Sequence, residues 1–116
     1  MRTVAKPWGS ELIWAEQAGY VAKILTINPG HRLSRQYHNV KDETFMVLGG
    51  ILTLEIGQGD QMITHQLTAC QIYHCAPKTI HRMIADASQN DKAVQVMEVS
   101  SNHLDDVVRL EDDYKR

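Results

Sequence analysis

The chain has 116 residues, of which 43% are hydrophobic and 22% charged, with a formal net charge of -2. That length closes one domain around one core, so residues 1–116 are expected to form a single unit. A near-neutral balance leaves no electrostatic footprint for nucleic acid or an anionic membrane, no window has the length and apolarity of a membrane span, and the start Met1-Arg-Thr-Val-Ala-Lys-Pro-Trp8 lacks a signal-peptide core, so a cytoplasmic protein is expected.

Short apolar segments broken by turn residues at intervals of about ten residues predict an all-β sandwich or barrel. In chain order the predicted strands are Glu11–Ala15, Tyr20–Ile27, Arg32–His38, Glu43–Leu48, Ile51–Ile56, Gln61–Gln66, Gln71–Cys75, Thr79–Ala85 and Ala93–Val99. Asn28-Pro-Gly30, Gly49-Gly50, Gly57-Gln-Gly-Asp60, Ala76-Pro77 and the polar run Asp86 to Lys92 separate them. The two glycine-containing turns Gly49-Gly50 and Gly57-Gln-Gly-Asp60 are expected to need positive φ. Leu52, Leu54 and Ile56 alternate with Thr53 and Glu55, which puts one face in a core and the other in water. Only the tail from Leu104 to Glu111 is predicted to form a helical turn. Cys70 and Cys75 match neither a CxxC redox pair nor a zinc-ribbon spacing and read as reduced structural thiols. Trp8 and Trp14 read as core or interface aromatics.

The chemistry-bearing residues cluster in two runs. Gln36 and His38 are two apart, so on a strand they share a face, and Glu43 follows a polar stretch able to turn the chain back beside them. His81 lies about forty residues later in Pro77-Lys-Thr-Ile-His81. Two imidazoles, a carboxylate and an amide oxygen can converge on one divalent ion and leave positions open for a substrate. Zinc, iron, manganese or nickel all suit such mixed nitrogen and oxygen ligands. His31, His65, His74 and His103 read as solvent-facing or hydrogen-bonded histidines.

These runs resemble the cupins, small double-stranded β-helix or jelly-roll proteins. Their first motif is Gly, five residues, His-x-His, three or four residues, Glu, six residues, Gly; this chain has Gly30, Gln36-Tyr37-His38, Glu43 and Gly50 at those intervals. Pro77 and His81 match the second motif, with Lys78-Thr79 standing where a Gly is usual. The Gln in place of the first His is similar to the cupin domain of type II mannose-6-phosphate isomerases. Lys6-Pro-Trp-Gly9, Asn28-Pro-Gly-His-Arg-Leu-Ser34 and Val107-Val-Arg-Leu-Glu-Asp-Asp-Tyr114 extend that likeness over nearly the whole chain. Bifunctional members carry a run close to Met-His-His-His-Arg-Ala-Glu-His-Trp after the Gln, where this chain has Tyr37-His38-Asn-Val-Lys41-Asp-Glu43-Thr44-Phe45. Lys41 keeps a positive charge but loses a planar fork, and the nucleotidyltransferase domain that precedes the cupin in those members is expected to be absent.

The resemblance implies a metal-dependent aldose-ketose isomerase acting on a sugar phosphate, with a metal on Gln36, His38, Glu43 and His81. Such a reaction needs a base, for which Lys41, Glu98 and His103 are candidates, and cations for the phosphate end, for which Lys23, Lys78, Arg82 and Arg109 are candidates along with Arg35. Arg35 and Arg82 neighbour Gln36 and His81, so strand alternation turns them away unless a bulge intervenes. A metal-dependent small-molecule oxygenase and a non-catalytic sugar-binding or regulatory module are the alternatives. A homodimer formed through edge strands or an N-terminal strand is expected, with no nucleic-acid or membrane partner.

Overall fold

A computed structural model describes all residues, Met1–Arg116. Twelve strands form two sheets: β1 (Arg2–Lys6), β2 (Gly9–Gln17), β3 (Tyr20–Ile27), β4 (His31–Arg32), β5 (Arg35–Tyr37), β6 (Glu43–Gly49), β7 (Leu52–Ile56), β8 (Ile63–Leu67), β9 (Ile72–Cys75), β10 (His81–Ala85), β11 (Val94–Ser100) and β12 (Val108–Glu111). The first sheet runs β1-β2-β3-β11-β6-β9 and the second β12-β5-β10-β7-β8, with β4 also on β10. All pairings are antiparallel, and the crossing of chain order between sheets is that of a double-stranded β-helix, as the strand pattern and motif spacing imply. No helix is long and apolar enough to cross a membrane.

Two expectations are corrected and one strand is added. The strand Arg32–His38 is two strands, because the Leu33 carbonyl is taken by the Arg82 guanidinium at 2.9 Å instead of a neighbouring strand's N–H. The tail from Leu104 to Glu111 holds a strand and not a helical turn: β12 hydrogen-bonds to the open edge of β5, where the β-branched Val107-Val108 pair fits an extended backbone better than a helix. An N-terminal strand, β1, pairs with β2 from Arg2↔Ile13 to Lys6↔Gly9. The two expected turns carry positive φ, at Gly50 (81°), Gly57 (88°) and Gly59 (56°).

Alternation along each strand decides what faces the interior, and the interior is divided along its length. On β3 the inward series runs Ile27, Leu25, Lys23; on β6, Val47, Phe45, Glu43; on β11, Val94, Val96, Glu98; on β10, Ala85, Met83, His81. Each passes from apolar residues to an ionisable one, with Val21 and Ser100 continuing β3 and β11 past it, so one end of the barrel is an oily core completed by Trp8, Leu52 and Leu54, and beside it lies a polar cavity. Register holds the two levels together, since Val96 pairs with both Leu25 and Val47 while Glu98 pairs with Lys23.

Gly9, at φ 153°, sits where a Cβ would lie 1.9 Å from the Thr26 carbonyl oxygen. Gly9→Ala is therefore expected to destabilise the fold by about 2–3 kcal/mol, because backbone and not a movable side chain must shift. A lowered urea midpoint at unchanged slope would show it; an unchanged midpoint would mean that the β2–β3 approach is looser than described.

Candidate metal centre

Two strands and one loop build the site. β10 places His81, the start of β6 places Glu43, and the residue following β5, His38, faces them. Glu43 Oε1 lies 3.3 Å from His38 Nε2 and 3.2 Å from His81 Nε2, and all three side chains are buried. Spacings near 3 Å are what donors need to share an ion with bonds of ~2.0–2.2 Å. The far nitrogens are already engaged: His38 Nδ1 meets the Asp106 carbonyl at 2.5 Å, and His81 Nδ1 meets the Thr79 carbonyl at 2.9 Å and Cys75 Sγ at 3.3 Å. With Nδ1–H donating to a carbonyl, each neutral imidazole turns its Nε2 lone pair toward a carboxylate oxygen. Three acceptors facing one another need a proton or a cation between them, so the donor set fits a divalent ion. Glu43 Oε2 also lacks a hydrogen-bond partner although Lys41 Nζ lies 3.0 Å away.

The ion-free charge balance agrees with this demand. Burial works against a charged Glu43, but hydrogen bonds from His38 and His81 and the Lys41 ammonium hold its carboxyl well below the usual range. Burial likewise opposes charge on His81, and hydrogen bonds and fields from Cys75 and Glu43 outweigh it, raising its pKa to about 10. His38 moves the same way: burial opposes, Glu43 prevails.

Gln36 borders the same cavity, across the ladder from His81 on one side and Arg109 on the other. Its Nε2 makes only a long 3.5 Å bond to the Ser34 carbonyl. Beside the histidines lies a buried ionic row: Lys41 Nζ stands 3.2 Å from Glu98 Oε2, and Lys23 Nζ stands 4.0 Å from Glu98 Oε2 and 3.4 Å from Glu11 Oε2. Burial and the facing Glu43 charge push the Glu98 carboxyl up, against the opposing pull of Lys41 and Lys23. Burial opposes the charge on Lys41, but Glu98 and Glu43 more than offset it, so Lys41 stays a cation. The cavity encloses about 260 Å³, and Arg109 stands at its border with no ion-pair partner.

The remaining sequence candidates lie elsewhere. The buried Arg82 points to the outer side of its sheet, where it pairs with Glu111 at 3.3 Å and Asp113 at 3.2 Å. Arg35 behaves likewise, with Glu55 at 2.7 Å, as alternation on β5 and β10 demands. Lys78 is exposed and its Nζ donates to Asn39 Oδ1 at 3.0 Å. Its φ of 71° explains why a Gly is usual nearby, and its backbone N–H donates to the His38 carbonyl. His103 is exposed, its Nδ1 2.9 Å from Ser101 Oγ, and does not border the cavity. His31, His74 and His65 are likewise outside it: His31 meets the Tyr114 hydroxyl, His74 meets Asp42, and His65 packs on Tyr73.

Sequence reasoning missed Asp106. Its carboxylate accepts the backbone N–H groups of Asn39 (3.0 Å), Val40 (2.7 Å) and Lys41 (2.8 Å), while its carbonyl receives His38 Nδ1–H. Those backbone donors hold the Asp106 carboxyl down to about 2. One residue thereby fixes both the loop from β5 to β6 and the aim of His38. Asp106→Ala keeps the carbonyl that meets His38 but removes the carboxylate that pins Asn39, Val40 and Lys41, so the loop carrying His38 loosens and metal binding is expected to weaken about 10-fold, the low end of the effect of disturbing an orienting contact, while the apolar end stays folded. Isothermal titration with zinc or manganese beside a thermal melt checks this; unchanged affinity would remove Asp106 from the site. The signal was thin, a pair of aspartates, Asp105-Asp106, in a tail with no periodicity.

The fold and the two-histidine, one-carboxylate centre place the molecule among the cupin double-stranded β-helix proteins. More narrowly, the chain belongs to the family described as Mannose-6-phosphate isomerase C-terminal, whose model matches residues 1–112. It is 32% identical over 116 residues to the alginate biosynthesis protein AlgA of Pseudomonas aeruginosa, covering 97% of this chain and 23% of that protein. The chain thus spans about a quarter of the length of the curated relatives it matches. Among solved structures, it resembles the capsular polysaccharide assembling protein CapF of Staphylococcus aureus with a TM-score of 0.82 at 14% identity, covering 95% of this chain and 34% of that one. It also resembles a cupin-superfamily sugar phosphate isomerase of Silicibacter pomeroyi, TM-score 0.67 at 21% identity, covering 80% of this chain and 59% of that one.

Proposed function

We propose that this domain is a metal-dependent aldose-ketose isomerase for a phosphorylated sugar of the mannose 6-phosphate type. One observation carries the reading: a candidate ion site of His38, Glu43 and His81 shares a cavity with a buried acid-base pair, Glu98 and Lys41, that is not needed to complete the ion site. Family membership and the sugar phosphate isomerase neighbour support it.

A divalent ion on His38, Glu43 and His81, with Gln36 beside them, would supply Lewis-acid stabilisation of negative charge developing on the sugar oxygens. Glu98, its carboxyl raised by burial, takes the proton from C2 of the aldose and returns it to C1, while the O2 hydroxyl proton moves to O1. Lys41 stays charged beside Glu98, steadies its carboxylate and faces developing negative charge. The low solvent access of both groups keeps the abstracted proton from exchanging with water before it is returned. Lys23 and Arg109 carry the positive charge that meets the phosphate, Arg109 with its fork free.

Conversion of mannose 6-phosphate by metal-reconstituted protein tests the reading, which fails if activity stays at background. Arg109→Met is expected to raise KM about tenfold with kcat little changed, the loss of one charge-assisted contact at a solvated rim; an unaltered KM would move the phosphate elsewhere. The open two-histidine, one-carboxylate set also suits a small-molecule oxygenase. Oxygen uptake by iron-loaded protein with candidate substrates would favour that alternative, since isomerisation consumes none.

A further inference from the structure

The two candidate histidine ligands sit on strands that the ladder joins thinly. His81 opens β10 and His38 follows β5, and the register between those strands holds one pair, His81↔Gln36, against four between β10 and β7. β5 has three residues and leans on β12, whose own register breaks between Arg109 and Glu111. Where backbone pairing is this sparse, side chains must fix the spacing of the strands. Arg82 stands at that gap. It follows His81 on β10, so alternation turns it to the outer face of the sheet, and there it is 1% exposed. Its Nε donates to the Leu33 carbonyl at 2.9 Å, Nη1 to Glu111 Oε2 at 3.3 Å and Nη2 to Asp113 Oδ1 at 3.2 Å. The first acceptor lies in the link from β4 to β5 and the other two at and beyond the end of β12, so one planar fork ties β10 to both of these strands.

We propose that Arg82 is a positioning residue for the candidate ion site, setting from outside the barrel the distance between the strands that carry His81 and His38. The inference rests on the metal-site reading and names a residue that the reaction itself does not use. His38 depends on the tied strands twice. Its backbone continues from β5, and its Nδ1–H is aimed by the carbonyl of Asp106, two residues ahead of β12. His81 depends on neither strand for its aim, because its Nδ1 meets Thr79 and Cys75. Slackening the clasp therefore moves one ligand and leaves the other. The neighbouring arginines do not replace it: Arg35 braces β5 to Glu55 on β7 and reaches Glu111, while Arg32, with a 41% exposed side chain, spans from β4 to Asp113. Neither starts from β10, the strand of His81.

Isothermal titration with zinc is expected to show Arg82→Met binding about tenfold more weakly than the unsubstituted chain, the size of effect that follows loss of an orienting contact. Arg82→Lys, which keeps the charge but not the fork, should fall between them, and Arg32→Met should leave affinity unchanged. Glu111 and Asp113 reach water, so removing Arg82 leaves neither carboxylate buried without a partner and the fold is expected to persist. A second readout needs no metal. In proton NMR of the metal-free chain, the His38 Nδ1–H signal, assigned by its absence in His38→Ala, is expected to broaden or vanish in Arg82→Met while that of His81 stays. In a folded Arg82→Met chain, unchanged zinc affinity or an undisturbed His38 signal overturns the proposal. If the unsubstituted chain binds no zinc, the isomerase reading fails and the ring signals alone decide the role of Arg82. If Arg82→Met does not fold, Arg82→Lys gives the same two readings.

Discussion

The His38→Ala, His81→Ala double variant is expected to bind zinc or manganese at least about 100-fold more weakly than the unsubstituted chain, beyond the 10–100-fold typical of losing an orienting partner alone. Both Nε2 atoms that face Glu43 are removed at once, and the carboxylate is left with Lys41 as its nearby cation. The apolar end of the barrel shares none of these residues, so the variant should still unfold cooperatively. Elemental analysis after purification without chelator reads the result, and unchanged metal content would remove both histidines from the site. The same geometry sets a pH dependence. With its pKa raised to about 10, His81 holds a proton that the ion must displace, so apparent affinity should climb about tenfold per pH unit from neutrality toward pH 10 and level off above. In chelator the opposite trend is expected for stability. A histidine raised above its ordinary 6.5 stabilises the fold fully below that value and loses the contribution as pH rises through about 10. Thermal midpoints should therefore fall across that window in the metal-free chain and hold in the metal-loaded one.

Glu98→Gln is expected to lower kcat for sugar-phosphate isomerisation by about 10²–10⁴-fold, the usual contribution of a positioned general base. The amide keeps the shape of the side chain and can still accept from Lys41, but it cannot carry a proton between two carbons. Because Glu98 lies outside the His38, Glu43 and His81 set, metal content and KM should change little. That split separates a proton carrier from a structural ion pair, whose loss would appear as a lower thermal midpoint with kcat preserved. Activity within a few-fold of the unsubstituted chain would sink the assignment and leave Lys41 as the remaining candidate within the cavity.

What the residues disclosed by themselves follows from where period-two alternation operates. Tyr20–Ile27 was legible to the residue, because Val21, Leu25 and Ile27 alternate cleanly and Asn28-Pro-Gly30 ends the strand. The same register carried a message about the site: Lys23 and Glu98 each follow two apolar residues on the inward face of their strands, and a charge there must face a polar cavity or be paired. His38, Glu43 and His81 could be grouped from spacing and family likeness, and the structure brings their donor atoms within 4.8 Å of one another. Alternation turned Arg82 away from the face of His81 but did not name its partners, and Lys78, in a loop, had no register to place it. Arg82 is as buried as any core residue, yet buried toward the acidic C-terminal segment and not the cavity. Strand β12 and Asp106 were hidden for one reason: their structure comes from partners about sixty-five to seventy-five residues earlier in the chain, β5 and the loop after it, and no local pattern encodes a distant edge.

The lengthwise division of the interior has a consequence for selection experiments. Lys23, Lys41, Glu43 and Glu98 crowd four ionisable side chains into a volume that aliphatic residues could fill, and replacing buried ion pairs by well-packed apolar groups is often neutral or stabilising. A library screened for heat resistance alone should therefore gather substitutions at those positions and drift toward sturdier, inert barrels. Screening the same library for turnover should spare them and draw its stabilising changes from the oily end, where Trp8, Leu52 and Val94 lie beyond the ionic level.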